Sequence, residues 1–150
     1  MSSEHHASVA WKRTSPDFTY ETYNRAHEMR FKDGEIVLPS SGAPEFRGDA
    51  ERVDPEEAYV AALSSCHMLT FLAICARKRL TVETYEDDAV GFLDKGDKKK
   101  LWITHVVLKP RVKFASEVDA ATLDQLHHLA HEDCFIANSV NTEIAIEPRA

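Results

Sequence analysis

Over the first 40 residues hydrophobic and polar side chains alternate. "ASVAWKR" and "DFTYETY" carry an apolar group at every second position, the period of a strand with one covered face. "HEMRFKDGEIVLP" repeats the alternation on both sides of Asp33-Gly34, a dipeptide that accepts the positive φ of a tight hairpin turn. The chain is therefore predicted to open as a small antiparallel sheet. The period is lost from Pro39 to Asp54, "PSSGAPEFRGDAERVD", where Pro, Gly and Ser mix with charge; this reads as a loop that delivers the chain to a helix. Asp54 suits an N-cap, Pro55 the first helical position, and Glu57 completes a capping-box pattern. The helix should run to about Arg79, within a basic cluster that favours a helix C-terminus. Between its ends, Tyr59 to Ala76 is apolar on every side, as expected of a helix buried in a core or an interface.

Beyond it, "LTVETYEDDAVGFLD" and "KLWITHVVLKPRVKF" predict two or three strands, with "KGDKKK" (95–100) as a solvated hairpin tip. "SEVDAATLDQLHHLAHEDC" predicts an amphipathic helix capped by Ser116 and ending near Cys134, with Val118, Ala121, Leu123, Leu126, Leu129 and Ala130 on its apolar face. "NTEIAIEP" supplies a last strand. Sheet, buried helix, sheet, second helix and closing strand define an α+β fold, with antiparallel sheets packed around a long buried central helix. A length of 150 residues suits one core, so a single domain, 1–150, is expected.

Charge narrows the partners. The chain has a formal net charge of −7 with its basic residues scattered, which argues against a nucleic-acid partner. No apolar run approaches the roughly 18 residues of a membrane span, so no membrane partner is expected. "MSSEHHASVA" lacks the pattern of a secretory signal, which makes the cytoplasm the expected compartment. Three cysteines cannot pair completely, and a reducing compartment would not keep a structural disulfide. The thiols are thus packing groups or chemistry.

Cys66 and Cys75, nine residues apart on one predicted helix, fall on opposite faces and about 13 Å apart along its axis. They cannot pair with each other. Cys75, among Leu72, Ile74 and Ala76, is most simply a small buried hydrophobe. A buried cysteine is usually inert, and Cys66 taken alone would be read the same way. Cys134, placed at the end of the second helix, changes the weighing: the dipole there disfavours a thiolate, so it suits resolving a disulfide better than attacking first. Cys66 lies in the fourth turn, where only a neighbouring cation could lower its pKa, and Arg25, Arg30, Arg47 and Arg52 are the nearby suppliers in sequence. His127, His131 and Cys134 share one helical face at spacings a metal could use, but no second ligand pair accompanies them and a metal site is not expected. His67 points some 100° away from Cys66 around the helix, which argues against a Cys–His dyad.

"VDPEEAYVAALSSCHMLTFL" resembles the signature of the osmotically inducible protein C and organic hydroperoxide resistance family, with Asp-Pro-Glu at a helix start and a cysteine ten residues after the glutamate. "CFIANSV" resembles the family's second cysteine motif, although Phe135 stands where the family often has Pro. The order of elements is also similar over nearly the whole chain. The resemblance implies a thiol-dependent peroxidase without metal or cofactor, built as an intertwined homodimer. It implies Cys66 as the peroxidatic thiol, Cys134 as the resolving thiol and Glu56 as the acid that orients an arginine. One branch of the family places that arginine about ten residues before the glutamate, here Arg47; another takes it from the first sheet, here Arg25 in "YNRAH". The substrate would be a small hydroperoxide and the electron donor a dithiol. The alternative is a non-catalytic binder of small or lipid-like molecules, with the cysteines as packing groups.

Overall fold

A computed structural model describes residues 2–150. The backbone separates into two compact units, the first ending at Ala58 and the second Tyr59–Ala150.

The first unit holds a three-stranded antiparallel sheet of β1 (Ser8–Ala10), β2 (His27–Phe31) and β3 (Ile36–Ser40), in the order β1-β2-β3. The hairpin sits where Asp33-Gly34 predicts it: Lys32, Asp33 and Gly34 take positive φ in succession, and Phe31 pairs with Ile36. "DFTYETY" departs from expectation, since residues 17–23 form bends and turns. Thr19 and Thr22 divert the backbone here; the Thr22 hydroxyl accepts from Thr19 N at 3.0 Å, and Thr22 N and Tyr23 N donate to Thr19 O. The alternating aromatics serve another contact, a cluster in which Phe18 and Tyr23 pack with Trp11 at centroid separations of 5.1 to 6.5 Å.

The loop after β3 is ordered. Ser40 bridges to Val53, Ser41 N donates to Val53 O and Val53 N to Pro39 O, while a short 3-10 turn, Pro44–Phe46, fills its middle. Gly48 is required at its position: a Cβ there would lie 1.5 Å from Gly42 O. The first turn of the following helix, α1 (Pro55–Arg77), closes the unit with the predicted capping box. Asp54 N donates to Glu57 Oε1 at 3.0 Å and Glu57 N to Asp54 Oδ1 at 2.7 Å, which satisfies two otherwise unpartnered amides.

From Tyr59 onward α1 belongs to the second unit. It ends two residues before the expected Arg79, which instead takes a left-handed φ of 60° as the helix closes: Leu80 N donates to Cys75 O and Arg79 N to Ala76 O, a Schellman ending. Each predicted strand region splits in two. The first yields β4 (Val82–Asp87) and β5 (Val90–Asp94), the second β6 (Trp102–Leu108) and β7 (Pro110–Phe114). β4 pairs antiparallel with β7, whereas β5 pairs antiparallel with β6, joined by the expected Lys-rich tip. Asp87 secures the division by accepting from both Ser64 Oγ and Lys109 N. The second helix, α2 (Ala120–Asp133), starts later than predicted, because Asp119 and not Ser116 is its N-cap; its carboxylate accepts from Thr122 N at 2.7 Å. The closing strand β8 (Glu143–Ile146) joins β6 in parallel, an exception to the otherwise antiparallel pairing.

Two cores flank α1 within this unit. Leu63 packs with Val106 and Leu108 of β6, while Phe71, Ile74 and Cys75 pack with Leu126 and Ala130 of α2 over the β4-β7 pair. The covered stripe is narrower than the apolar sequence suggests, for Leu69 is 60% exposed. By length and composition α1 is also long and apolar enough to cross a bilayer, contrary to the sequence expectation; here its buried residues serve the core of the second unit.

The capping box is testable by urea denaturation. Asp54→Ala is expected to cost about 1 kcal/mol, the usual magnitude for a lost N-cap, and a cost indistinguishable from zero would mean the cap is dispensable.

Candidate active site

Two cysteines meet in the second unit. Cys66 faces outward from α1 and is half-buried, whereas Cys134, the C-cap of α2, is 1% exposed. Helix α2 ends at Asp133 and turns the chain inward, so that Ala137 N donates to Cys134 Sγ at 3.5 Å. The two thiols are close enough for Cys66 to act on the ionisation of Cys134. Burial pushes the Cys134 thiol up to about 11, and the neighbouring Cys66 pushes in the same direction. Cys134 is therefore held protonated at neutral pH.

Cys66 opens into a cleft of about 560 Å³. Its floor is one stripe of α1, Cys66, Thr70, Ala73 and Arg77, and Phe135 beside it is 81% exposed. Leu69 adds a second exposed apolar group at the rim. The lining is mainly apolar near the thiol and charged towards Arg77, Glu132 and Asp133.

The remaining predicted site residues belong to the first unit. Arg25 is half-buried and tightly placed: its guanidinium lies 3.6 Å from the Tyr23 ring centroid and 4.8 Å from that of Tyr20, and it donates to the carbonyls of both tyrosines. Its Nε is buried without a partner. Arg47 is exposed, with Tyr20 at 5.8 Å. Glu56 lies in the first turn of α1, its Oε2 buried without a hydrogen bond, and it makes no ion pair among the described residues. The other two arginines are committed elsewhere, Arg30 to Glu28 and Arg52 to the carbonyls of Ser40 and His27. The structure thus brings Cys66 and Cys134 together, and separately places Arg25 and Arg47 around one tyrosine.

Cys75 lies on another face of α1 from the cleft, buried in the apolar core, which pushes its pKa up. The histidines hold a pair that the sequence reading did not find. His67 Nε2 and His127 Nδ1 are 3.0 Å apart, their rings within 9° of parallel and meeting edge to edge, as an in-plane N–H···N bond requires, and both are nearly inaccessible. Burial pushes each down to about 4. The available signal was position: His67 stands four residues from both Leu63 and Phe71, and His127 four from Leu123, on the covered stripes of their helices.

With this geometry in view, comparison with known proteins defines the class. A family model for OsmC-like proteins matches residues 48–149. The chain belongs to the OsmC-like family. An OsmC-like protein of unknown function from Vibrio cholerae is 49% identical, with a TM-score of 0.92 over 99% of this chain and all of its own. An uncharacterized Bacillus subtilis protein, YmaD, is 28% identical over 131 residues, covering 83% of this chain and 85% of its own. An organic hydroperoxide resistance protein from Legionella pneumophila shares the fold, with a TM-score of 0.75 over 99% of this chain and all of its own, but only 15% identity.

The protonated state of Cys134 has a measurable consequence. Its folded pKa lies above the ordinary 9, so the stability tied to its neutral form is complete below pH 9 and is lost as the pH rises through about 11. Denaturation at several alkaline pH values should show a steeper loss for the wild type than for Cys134→Ala, and parallel curves would contradict a buried, protonated thiol.

Proposed function

We propose that the protein is a cysteine-based hydroperoxide reductase acting through Cys66 and Cys134. The observation that carries this reading is the asymmetry of the thiol pair: one sulfur opens to a cleft, and the other waits beside it, buried and protonated. The Cys66 thiolate attacks one peroxide oxygen, the O–O bond breaks, and the leaving oxygen departs with a proton as an alcohol or water. Sulfur is oxidised by two electrons to a sulfenic acid. Cys134 then displaces the sulfenic oxygen as water and forms a disulfide. A dithiol donor reduces it through a mixed disulfide. The apolar part of the cleft favours organic peroxides over hydrogen peroxide.

An arginine is needed to hold Cys66 ionised, and Arg25 and Arg47 remain the two choices. Arg25 is the better positioned within its own unit, being anchored by two rings and two carbonyls. Glu56 and Cys66 are ten residues apart, about 15 Å along one helix axis, too far for one helix to bring both to a single peroxide. The reading therefore includes a homodimer of single OsmC-like domains in which Glu56 of the partner subunit serves each Cys66. The exposed Leu69 and the apolar breadth of α1 agree with a second covered face. Three unpaired thiols suit a reducing compartment such as the cytoplasm.

Cys66→Ser should abolish consumption of cumene hydroperoxide, and retained turnover would remove the mechanism. Cys134→Ser should allow one turnover and leave a sulfenic acid on Cys66, read by a sulfenate-selective reagent. A wild-type protein that loses no thiols to one equivalent of peroxide would favour the ligand-binding alternative.

The shared site is tested by complementation. Glu56→Ala and Cys66→Ala should each be inactive, and mixing them under subunit exchange should restore one working site per heterodimer. No recovery despite exchange demonstrated by mass would refute sharing.

A further inference from the structure

The His67–His127 pair takes no part in the proposed chemistry, yet it joins the two helices that carry the thiols. On α1 the two attachment points are successive residues, Cys66 and His67. On α2 and its cap they are His127 and Cys134, seven residues and about 10 Å apart along the axis. Contacts so close on one helix and so distant on the other fix both the pivot and the angle of α2 against α1. The imidazole end is held firmly. His127 lies between His67 and Phe71, one turn apart on α1, with ring centroids at 5.3 and 4.4 Å.

The hydrogen bond across the pair requires one nitrogen to donate and the other to accept, which two imidazolium rings cannot do; a single proton leaves the bond in place, so release takes both. Beyond the shared bond, His67 Nδ1 and His127 Nε2 are buried without hydrogen-bond partners, so an N–H that protonation adds at either is unpartnered in this arrangement. The charged and titratable groups facing the pair are His131 and Asp124 of α2 and Asp87 and Tyr85 of β4. His131 opposes a positive charge and the two aspartates favour it, but Asp87 is already engaged by Ser64 and Lys109 N. From β7 the neighbours in this core are the apolar Val112 and Phe114.

We propose that His67 and His127 form a proton-sensitive clamp, positioning residues that hold Cys134 against Cys66, and that protonation of the pair releases the C-terminal end of α2 and halts disulfide closure. The functional part rests on the peroxidase reading: in acid the first step would continue and the second would fail, so Cys66 would remain as sulfenic acid. The low values at which burial sets both imidazoles agree with a clamp that is closed at neutral pH and opens in acid.

The test separates the clamp from the peroxidase reading by using diamide, which needs no peroxide. The Cys66 thiolate adds across its N=N bond, Cys134 displaces the resulting hydrazine, and diamide is reduced by the two electrons that the new disulfide gives up. Closure rates would be measured from neutral pH to about pH 3 and divided by the iodoacetamide reactivity of Cys66 in Cys134→Ser, which removes the effect of thiolate ionisation. The corrected wild-type rate is expected to stay level to about pH 5 and to fall several-fold by about pH 3, as both imidazoles pass the value of about 4. The double variant His67→Gln with His127→Asn keeps a donor and an acceptor that cannot protonate at these pH values, and its corrected rate should stay flat. A flat wild-type profile, or an equal fall in the variant, overturns the clamp.

Should the variant fail to fold, imidazole NMR of the wild type decides. The two rings should titrate together and along the same curve as the corrected rate, and protonation that leaves the rate unchanged overturns the proposal. If diamide closure behaves as expected while peroxide removes no thiols, the clamp stands and the peroxidase reading falls.

Discussion

The second unit depends on one inserted side chain. His127 enters between His67 and Phe71 and replaces what would otherwise be an apolar knob with a ring that also hydrogen-bonds across the helix contact. An apolar residue could pack there in several rotations, whereas a 3.0 Å bond between two particular nitrogens permits few. The register of α2 on α1 follows, and with it the place where α2 must end. Because that end is Cys134, a packing decision two helical turns away determines which thiol meets Cys66.

The two thiols differ because their surroundings differ, not because of anything in the residue itself. Cys66 sits on the side of α1 that faces the cleft, and Cys134 turns inward at a helix end whose dipole does not favour a thiolate. A third thiol, Cys75, shares α1 but faces the apolar core and has no sulfur partner. Three identical groups thus have three environments, fixed by helical phase and by where a helix stops.

Much of this was legible from local pattern. The Asp33-Gly34 turn, the Asp54–Glu57 box and the opposite facing of Cys66 and Cys75 are short-range consequences of φ preference, capping and helical period. What escaped was decided by competition or by distance. Alternation at 17–23 served an aromatic cluster because threonine hydroxyls captured the backbone. Asp119 displaced Ser116 as a cap, a choice between two good candidates three residues apart. The imidazole pair joins residues 60 positions apart, and period along one helix carries no information about which residue on another helix it will meet. The cysteines were found through family resemblance, which conveys a long-range pairing that composition and spacing leave open.

The parallel pairing of β8 with β6 has a consequence for how the molecule is made. A parallel neighbour must return by a crossover, and here the crossover contains α2 and the turn bearing Cys134. Cys66 emerges from the ribosome 68 residues ahead of Cys134, and the strand that follows Cys134, β8, is synthesised later still. Contacts of such long sequence separation form late. During translation Cys66 therefore exists before Cys134 can pack beside it, and it stays uncovered on that side until β8 arrives.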